Sequence, residues 1–160
     1  MLNTRKTYVP TEGGFARFLD SFTNPGTTDV TVTVTVATYL NYSTSTRIAV
    51  GPTSSSALVV ADSSTPMSFA PSAHVFGGPG GVTLPDIHAV SGDPNLTASW
   101  TLTIPAGTTV SLLHFTVQAT AADAANAQAQ SLAGFTNPFA LFGLTSEERA
   151  RVINFQVPQP

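Results

Sequence analysis

The chain has 160 residues, one domain's worth and long enough to bury a core without covalent staples. Only 9% of them are charged, against about 25% in an average soluble domain, so solubility falls to Thr, Ser, Asn and Gln. A net charge of −3 with six basic residues excludes a patch able to neutralise a nucleic-acid backbone or a basic segment for an anionic membrane, and the absence of cysteine excludes disulfides, thiolate metal sites and a thiol nucleophile.

The opening MLNTRKTYVP has no apolar h-region, so no signal peptide is expected, and no apolar run approaches a membrane span. Thr7-Tyr8-Val9 is a short strand candidate stopped by Pro10. After Glu12-Gly13-Gly14, Phe15–Phe22 reads as a strand covered at least in part on both sides: Phe15, Arg17 and Leu19 share one parity, Ala16, Phe18, Asp20 and Phe22 the other. Asn24-Pro25-Gly26 is a strong turn signal. It leads to Asp29–Leu40, the clearest strand, with Val30, Val32, Val34 and Val36 on one face and Thr31, Thr33 and Thr35 on the other. A Thr-x-Thr-x-Thr row can suggest an ice-binding face; one row without a repeated coil reads instead as a solvated sheet face.

Residues 41–81 are the least regular. Arg47–Val50 and Ala57–Ala61 are strand candidates separated by Gly51-Pro52 and a serine run. His74-Val75-Phe76 precedes Gly77-Gly78-Pro79-Gly80-Gly81, expected to be a flexible loop; it lacks the strand-loop-helix context and the Lys-Ser/Thr of a phosphate-binding P-loop. Val82–Val90 is a further strand candidate, ended by Ser91-Gly92-Asp93-Pro94.

Asn95–Ala119 is the stretch around which the rest is expected to be organised. Trp100, Leu102 and Ile104 alternate with Ser99, Thr101 and Thr103, the period of a strand with one buried face. Pro105-Ala106-Gly107 supplies a reversal. Val110–Val117 returns with Leu112, Leu113, Phe115 and Val117 pointing both ways, which predicts cover on both faces. The pair is expected to form the central hairpin of a sandwich. After Thr120 the character changes: a capping arrangement at Thr120–Asp123 opens an alanine-rich helix stopped at Gly134, Asn137-Pro138 starts a short helix, and Thr145-Ser-Glu-Glu148 is a capping box for a helix through about Val152. Phe155–Val157 reads as a final short strand. The expected fold is therefore mostly β, an antiparallel β-sandwich (Ig-like or jelly-roll-like) with a short C-terminal helical segment, forming a single module over 1–157 with a linker starting at 158–160.

Several stretches resemble a functionally uncharacterised β-sandwich module of large secreted or surface-anchored proteins of Gram-negative bacteria. They are Arg5-Lys6-Thr7-Tyr8-Val9-Pro10, Gly14-Phe-Ala-Arg-Phe-Leu-Asp20, Phe22-Thr-Asn-Pro-Gly26 with its Thr/Val strand, Ala73-His-Val-Phe-Gly77, Leu102-Thr-Ile-Pro-Ala-Gly107, Leu113-His-Phe-Thr-Val-Gln118, and Gly143-Leu-Thr-Ser-Glu-Glu-Arg-Ala150 with Asn154-Phe155. The resemblance implies a module in a multidomain exported protein, near other adhesive or repeat modules, with no catalytic residues to carry over. This chain departs at Ala70, where the module has an acidic residue before the Pro of the Pro71-Ser-Ala-His74 segment. A Thr/Ser-rich, Lys-poor composition is associated with the same setting, secreted or at the cell surface, and an exported chain of this kind is expected to be a mature fragment or a module cut from a longer one.

Candidate chemistry is sparse. Asp86 and His88 share one side of a strand, and His74 and His114 can in principle join them as metal ligands; only the local pair has ligand spacing, and His114, between Leu113 and Phe115, reads as a core or sheet-face histidine with one hydrogen bond. Asp62, Asp86 and Asp93 lie in loop-like stretches without a DxDxDG-type calcium cluster. No G-x-S-x-G elbow occurs, and Glu147-Glu148 is explained by the helix start, so neither a hydrolase nor a glycosidase stands out. No cofactor or metal is assigned. Tyr8, Tyr39, Tyr42 and Trp100 are the aromatic residues available to sugars; Trp100 reads as core, and Tyr39 and Tyr42, at the end of the long strand, are the better ligand-binding candidates. The only lysine, Lys6, and Asn154 are candidates for an intramolecular isopeptide cross-link, with Asp20 as the acid/base; that chemistry needs an apolar setting that keeps the amine neutral. The expected role is non-enzymatic, structural or adhesive, with neighbouring modules of the same protein or surface glycans as partners and self-association possible; a carbohydrate-binding module is the alternative, and a hydrolase or metal-binding domain comes third.

Overall fold

A computed structural model describes residues 1–40, 45–63 and 69–159. Two antiparallel sheets and a short helical layer make up the fold. The strands are β1 (Leu2–Tyr8), β2 (Phe15–Thr23), β3 (Val30–Tyr39), β4 (Thr46–Val50), β5 (Leu58–Ser63), β6 (Ser72–Val75), β7 (Asp86–His88), β8 (Asn95–Ile104) and β9 (Thr109–Gln118), and the helices are α1 (Ala122–Ala133) and α2 (Ser146–Ala150). One sheet has the order β1-β2-β9-β6-β5-β4, the other β3-β8-β7.

The larger sheet is the middle layer. One of its faces meets the three-stranded sheet through Phe22, Val59, Phe76 and Leu112 against Leu96, Ala98, Trp100, Leu102 and Ile104. Its other face carries Phe15, Leu19, Val75, Leu113, Phe115 and Val117, covered by Ala125, Ala129 and Leu132 of α1 and by Leu141, Leu144, Val152 and Phe155 of the C-terminal segment. Burial on both sides is why β2 and β9 carry apolar residues at both parities, whereas β3 and β8, with one face in solvent, alternate cleanly.

The expected hairpin is corrected. β8 is the centre of the small sheet and β9 lies inside the large one, so Pro105–Gly107 carries the chain from one sheet to the other. A strand's alternation reports which side chains are buried but not which neighbour covers them, so two facing strands and two paired strands read alike. β1 begins five residues earlier than expected, because its residues up to Thr7 are exposed and leave no periodic signal. β6 has no counterpart among the expected strands, and β7 is shorter than Val82–Val90: the amides of Val82 and Thr83 bond to the Ile153 carbonyl at 2.7 and 3.3 Å instead of to a sheet neighbour.

The glycine stretch is not a loose loop. The Gly78 amide donates to the Asn154 carbonyl at 3.1 Å, and a Cβ on Gly81 would lie 2.4 Å from that same oxygen. The glycines are there so that this backbone can lie directly on the C-terminal segment. Downstream, the Thr145–Glu148 capping box forms as expected. The N-cap of α1 is instead Ala121, with no side-chain cap. Residues 137–144 form successive turns rather than a helix; Asn137 Oδ1 accepts from the Phe139 amide, and Arg17 takes the Ala140 and Phe142 carbonyls that a helix would use. In place of a strand at Phe155–Val157, the chain makes one parallel bridge, Ser111 with Val152. Among the described residues no helix is long and apolar enough to cross a membrane.

Candidate functional site

The sheets part along one side of the molecule, where β3 runs over β1, β2 and β9. Three hollows follow one another there and share lining residues. The first, about 290 Å³, lies between Asn3, Arg5, Asp20 and Phe22 below and Val34–Val36 above. The second, about 160 Å³, adds Phe18, His74, His114 and Thr116. The third, about 240 Å³, opens beside Tyr39, Phe69, Ser72 and Gln118. A larger hollow of about 420 Å³ by Val9, Pro10 and Phe15 has no titratable side chain in its lining.

Sheet register assembles the groove floor. Arg5 is directly across from Asp20, Phe18 from His114, and Thr116 from His74. All point to the inter-sheet side. Arg5 grips Asp20 with two bonds, Nε to Oδ1 at 2.6 Å and Nη2 to Oδ2 at 2.8 Å, and His114 Nε2 lies 3.1 Å from Oδ2. The guanidinium lies over the Phe18 ring at 5.4 Å, Phe18 stacks on His114 at 4.9 Å, and Phe76 follows between His114 and His74 at 6.2 and 5.9 Å. The result is a row of planar groups across four strands, with alternate members polar.

Asp20 is only 4% exposed. Burial alone would push its pKa up, but the bonds from Arg5 and His114 outweigh this and hold it down, at about 2. His74 moves from 6.5 to about 4 because it is buried and because the neighbouring His114 opposes a second positive charge. It is therefore neutral at physiological pH. Among the described residues its one hydrogen-bond contact, Nδ1 with the Thr116 hydroxyl, is long at 3.5 Å.

Chemically the groove offers a carboxylate already saturated by a bidentate guanidinium and an imidazole. Ser21 and Ser111 bond to each other at 2.9 Å on the opposite face of the sheet, so neither serves His114 as a nucleophile. The metal-ligand pairing weighed from sequence is not assembled: Asp86 and His88 are on β7, His88 bonds Asp93 at 2.8 Å, and His74 and His114 lie in the groove. Asp62 pairs with Arg47 and Asp93 with His88, so neither carboxylate is left free for a shared cation. Among the described residues no three His, Asp or Glu side chains converge.

Lys6 and Asn154 are not brought together. Lys6 Nζ bonds Glu148 at 2.9 and 3.0 Å and the Gly143 carbonyl at 2.8 Å. Asn154 lies beyond β2 and β9, wholly buried: its Oδ1 accepts from the Leu113 amide at 3.0 Å, and its Nδ2 donates to the Leu113 and Phe76 carbonyls at 2.7 Å each. This amide supplies the ladder bonds that β6 no longer makes once it has ended at Val75. Asp20 neighbours β1 as expected, but its side chain faces the inter-sheet groove whereas Lys6 faces the helical layer. The proposed acid/base therefore lies on the other side of the sheet from the amine, and the cross-link geometry is absent.

Of the sugar-binding candidates, Tyr39 is 60% exposed at the groove's end; Tyr42 lies outside the described residues. Trp100, at 1% exposure, is core as expected. Sequence reasoning missed Arg5 and Arg17. The Arg17 side chain is buried, bonds the Ala140 and Phe142 carbonyls at 3.1 and 2.8 Å, and lies over Tyr8 at 4.9 Å. Its only signal was shared parity with Phe15 and Leu19. No protein-family model matches the chain, and no curated protein matches it.

Proposed function

We propose that the chain is a non-enzymatic β-sandwich module with a structural or adhesive role in an exported bacterial protein, set among neighbouring modules of the same protein. The supporting observation is what the buried polar groups do. Arg17 ties β2 to residues 140–142, Asn154 ties the C-terminal segment to β9 and β6, and Asp20 gathers Arg5 and His114. Each joins separate parts of the chain, the arrangement of a domain that holds its shape. The exported setting rests on the Thr/Ser-rich, lysine-poor composition and on the resemblance of the quoted segments to surface-protein modules.

Two measurements test the proposal. Fractionation of cells making the full-length protein is expected to find it at the surface or in the medium; retention in the cytoplasm overturns the exported setting. The isolated module is expected to hydrolyse neither esters nor glycosides. Turnover lost in His114→Gln would make the Asp20–His114 pair catalytic and overturn the non-enzymatic role.

A carbohydrate-binding role is the second possibility, favoured by Tyr39 and Phe69, 60% and 41% exposed, beside Ser72 and Gln118 around one hollow. Aromatic faces flanked by amide and hydroxyl groups suit a sugar's apolar and polar sides. A glycan array distinguishes the two roles: reproducible binding that disappears in Tyr39→Ala selects the sugar-binding role, and binding to none selects the structural one.

A further inference from the structure

Among the described residues, β3 has no strand partner on the side away from β8. Its ten residues pair with β8 in unbroken register, from Val30 with Ile104 to Tyr39 with Asn95, and β3 ends its sheet. Natural edge strands are blunted by brevity, charge, proline, bulges or cover. Val30–Tyr39 has no charged residue, no proline and no register shift. The inward residues show what the edge lacks. Ala98, Trp100, Leu102 and Ile104 of β8 are buried, whereas their partners Val36, Val34, Val32 and Val30 are each only half-buried. Beneath them the slot floored by Asn3, Arg5, Asp20 and Phe22 continues to the exposed strand β1, so both sheets end on the same side.

We propose that this edge pairs with the β3 edge of a second copy, antiparallel about a two-fold axis through Thr33, joining the two three-stranded sheets into one of six strands. The sequence selects this occupant. Val30–Val36 reads the same in both directions, so pairing centred on Thr33 puts Val30 across from Val36, Val32 from Val34, and Thr31 from Thr35. Directly opposed residues lie on one face of a sheet. Every valine then meets valine on the inner face and every threonine meets threonine outside; a one-residue slip would mix the two. Threonine pairing of this kind already exists within the sheet, Thr31 with Thr103 at 3.2 Å and Thr35 with Ser99 at 2.9 Å between hydroxyl oxygens. With no charge on the strand, a self-complementary pairing opposes no like charges, and a two-fold interface closes at two copies.

Sedimentation of the module from micromolar to millimolar concentration tests the idea, and Thr33, exposed and outward-facing, can be replaced without touching the core. The native module should show a concentration-dependent monomer–dimer equilibrium. T33K or T33E alone should weaken it about tenfold, because like charges then sit directly opposite across the axis; mixing the two variants should restore dimer. Register is read separately, since the chain has no cysteine of its own. A short thiol cross-linker should join T33C to T33C, but not T31C to T31C, whose sites lie four residues apart along the pair, about 13 Å. It should not join T101C on β8 either. A native module that stays monomeric throughout, T33K that associates like the native chain, or cross-linking equal at all three positions each overturns the proposal.

Discussion

His74 and Asp20 carry the acid sensitivity of the fold at the residue scale. Folded His74 takes up its proton only near pH 4, against 6.5 for the unfolded chain. Between those values the unfolded state binds the proton that the folded state refuses, so stability is complete above about 6.5 and falls as pH drops toward 4, by about 3 kcal/mol. Asp20 acts next. Its pKa of about 2, against an ordinary 3.8, means its stabilising contribution is present above about pH 4 and lost as pH falls toward 2, by about 2 kcal/mol. Urea midpoints across pH should therefore decline in two stages. His74→Gln should flatten the upper stage and Asp20→Asn the lower. An unchanged upper slope in His74→Gln would mean that burial does not disfavour its charged form.

At the scale of the element, the C-terminal segment is a structural part of the larger sheet without being a strand. Residues 151–153 exchange backbone bonds with Ser111, and the Asn154 amide serves the next outward-pointing position, Leu113. Asn154→Ala strips partners from the Leu113 amide and from two carbonyls. With each unsatisfied buried group costing about 1–3 kcal/mol, the loss should reach about 3–5 kcal/mol in a urea titration. Asn154→Asp, nearly identical in shape, should be at least as damaging at neutral pH, because an acceptor would face the carbonyls of Leu113 and Phe76. A small effect from the aspartate would show that shape alone, and not hydrogen bonding, holds the segment.

At the scale of the whole molecule, the two sheets meet around Trp100, which is 1% exposed and packs edge-on against Phe76 at 6.2 Å. Phe76 stacks in turn with both groove histidines, so one residue links the inter-sheet core to the groove floor. Trp100→Ala should cost about 3–5 kcal/mol by calorimetry or denaturant. A loss below about 1 kcal/mol would mean that the sheets close over the cavity or do not depend on this contact. The layers differ in what they ask of sequence. The outer sheet needs one apolar face per strand, while the middle sheet needs apolar residues on both, with its few polar groups paired across elements.

That contrast divides what was legible in the sequence from what was not. The Val/Thr alternation of β3, the two-sided apolar pattern of β9, the buried Trp100 and the Thr145–Glu148 cap were all readable, because periodicity and capping are properties of a few adjacent residues. The sheet each strand joins was not: β8 and β9 read as a hairpin because alternation is blind to the identity of the neighbour. The groove's partners were equally hidden. Arg5 meets Asp20 and His114, and Lys6 meets Glu148 instead of Asn154, through strand register and the face each side chain takes. A carboxylate fifteen residues from its arginine and ninety-four from its histidine leaves no local pattern. Only tertiary packing, by fixing which strands lie side by side, decided that these groups would share one buried site.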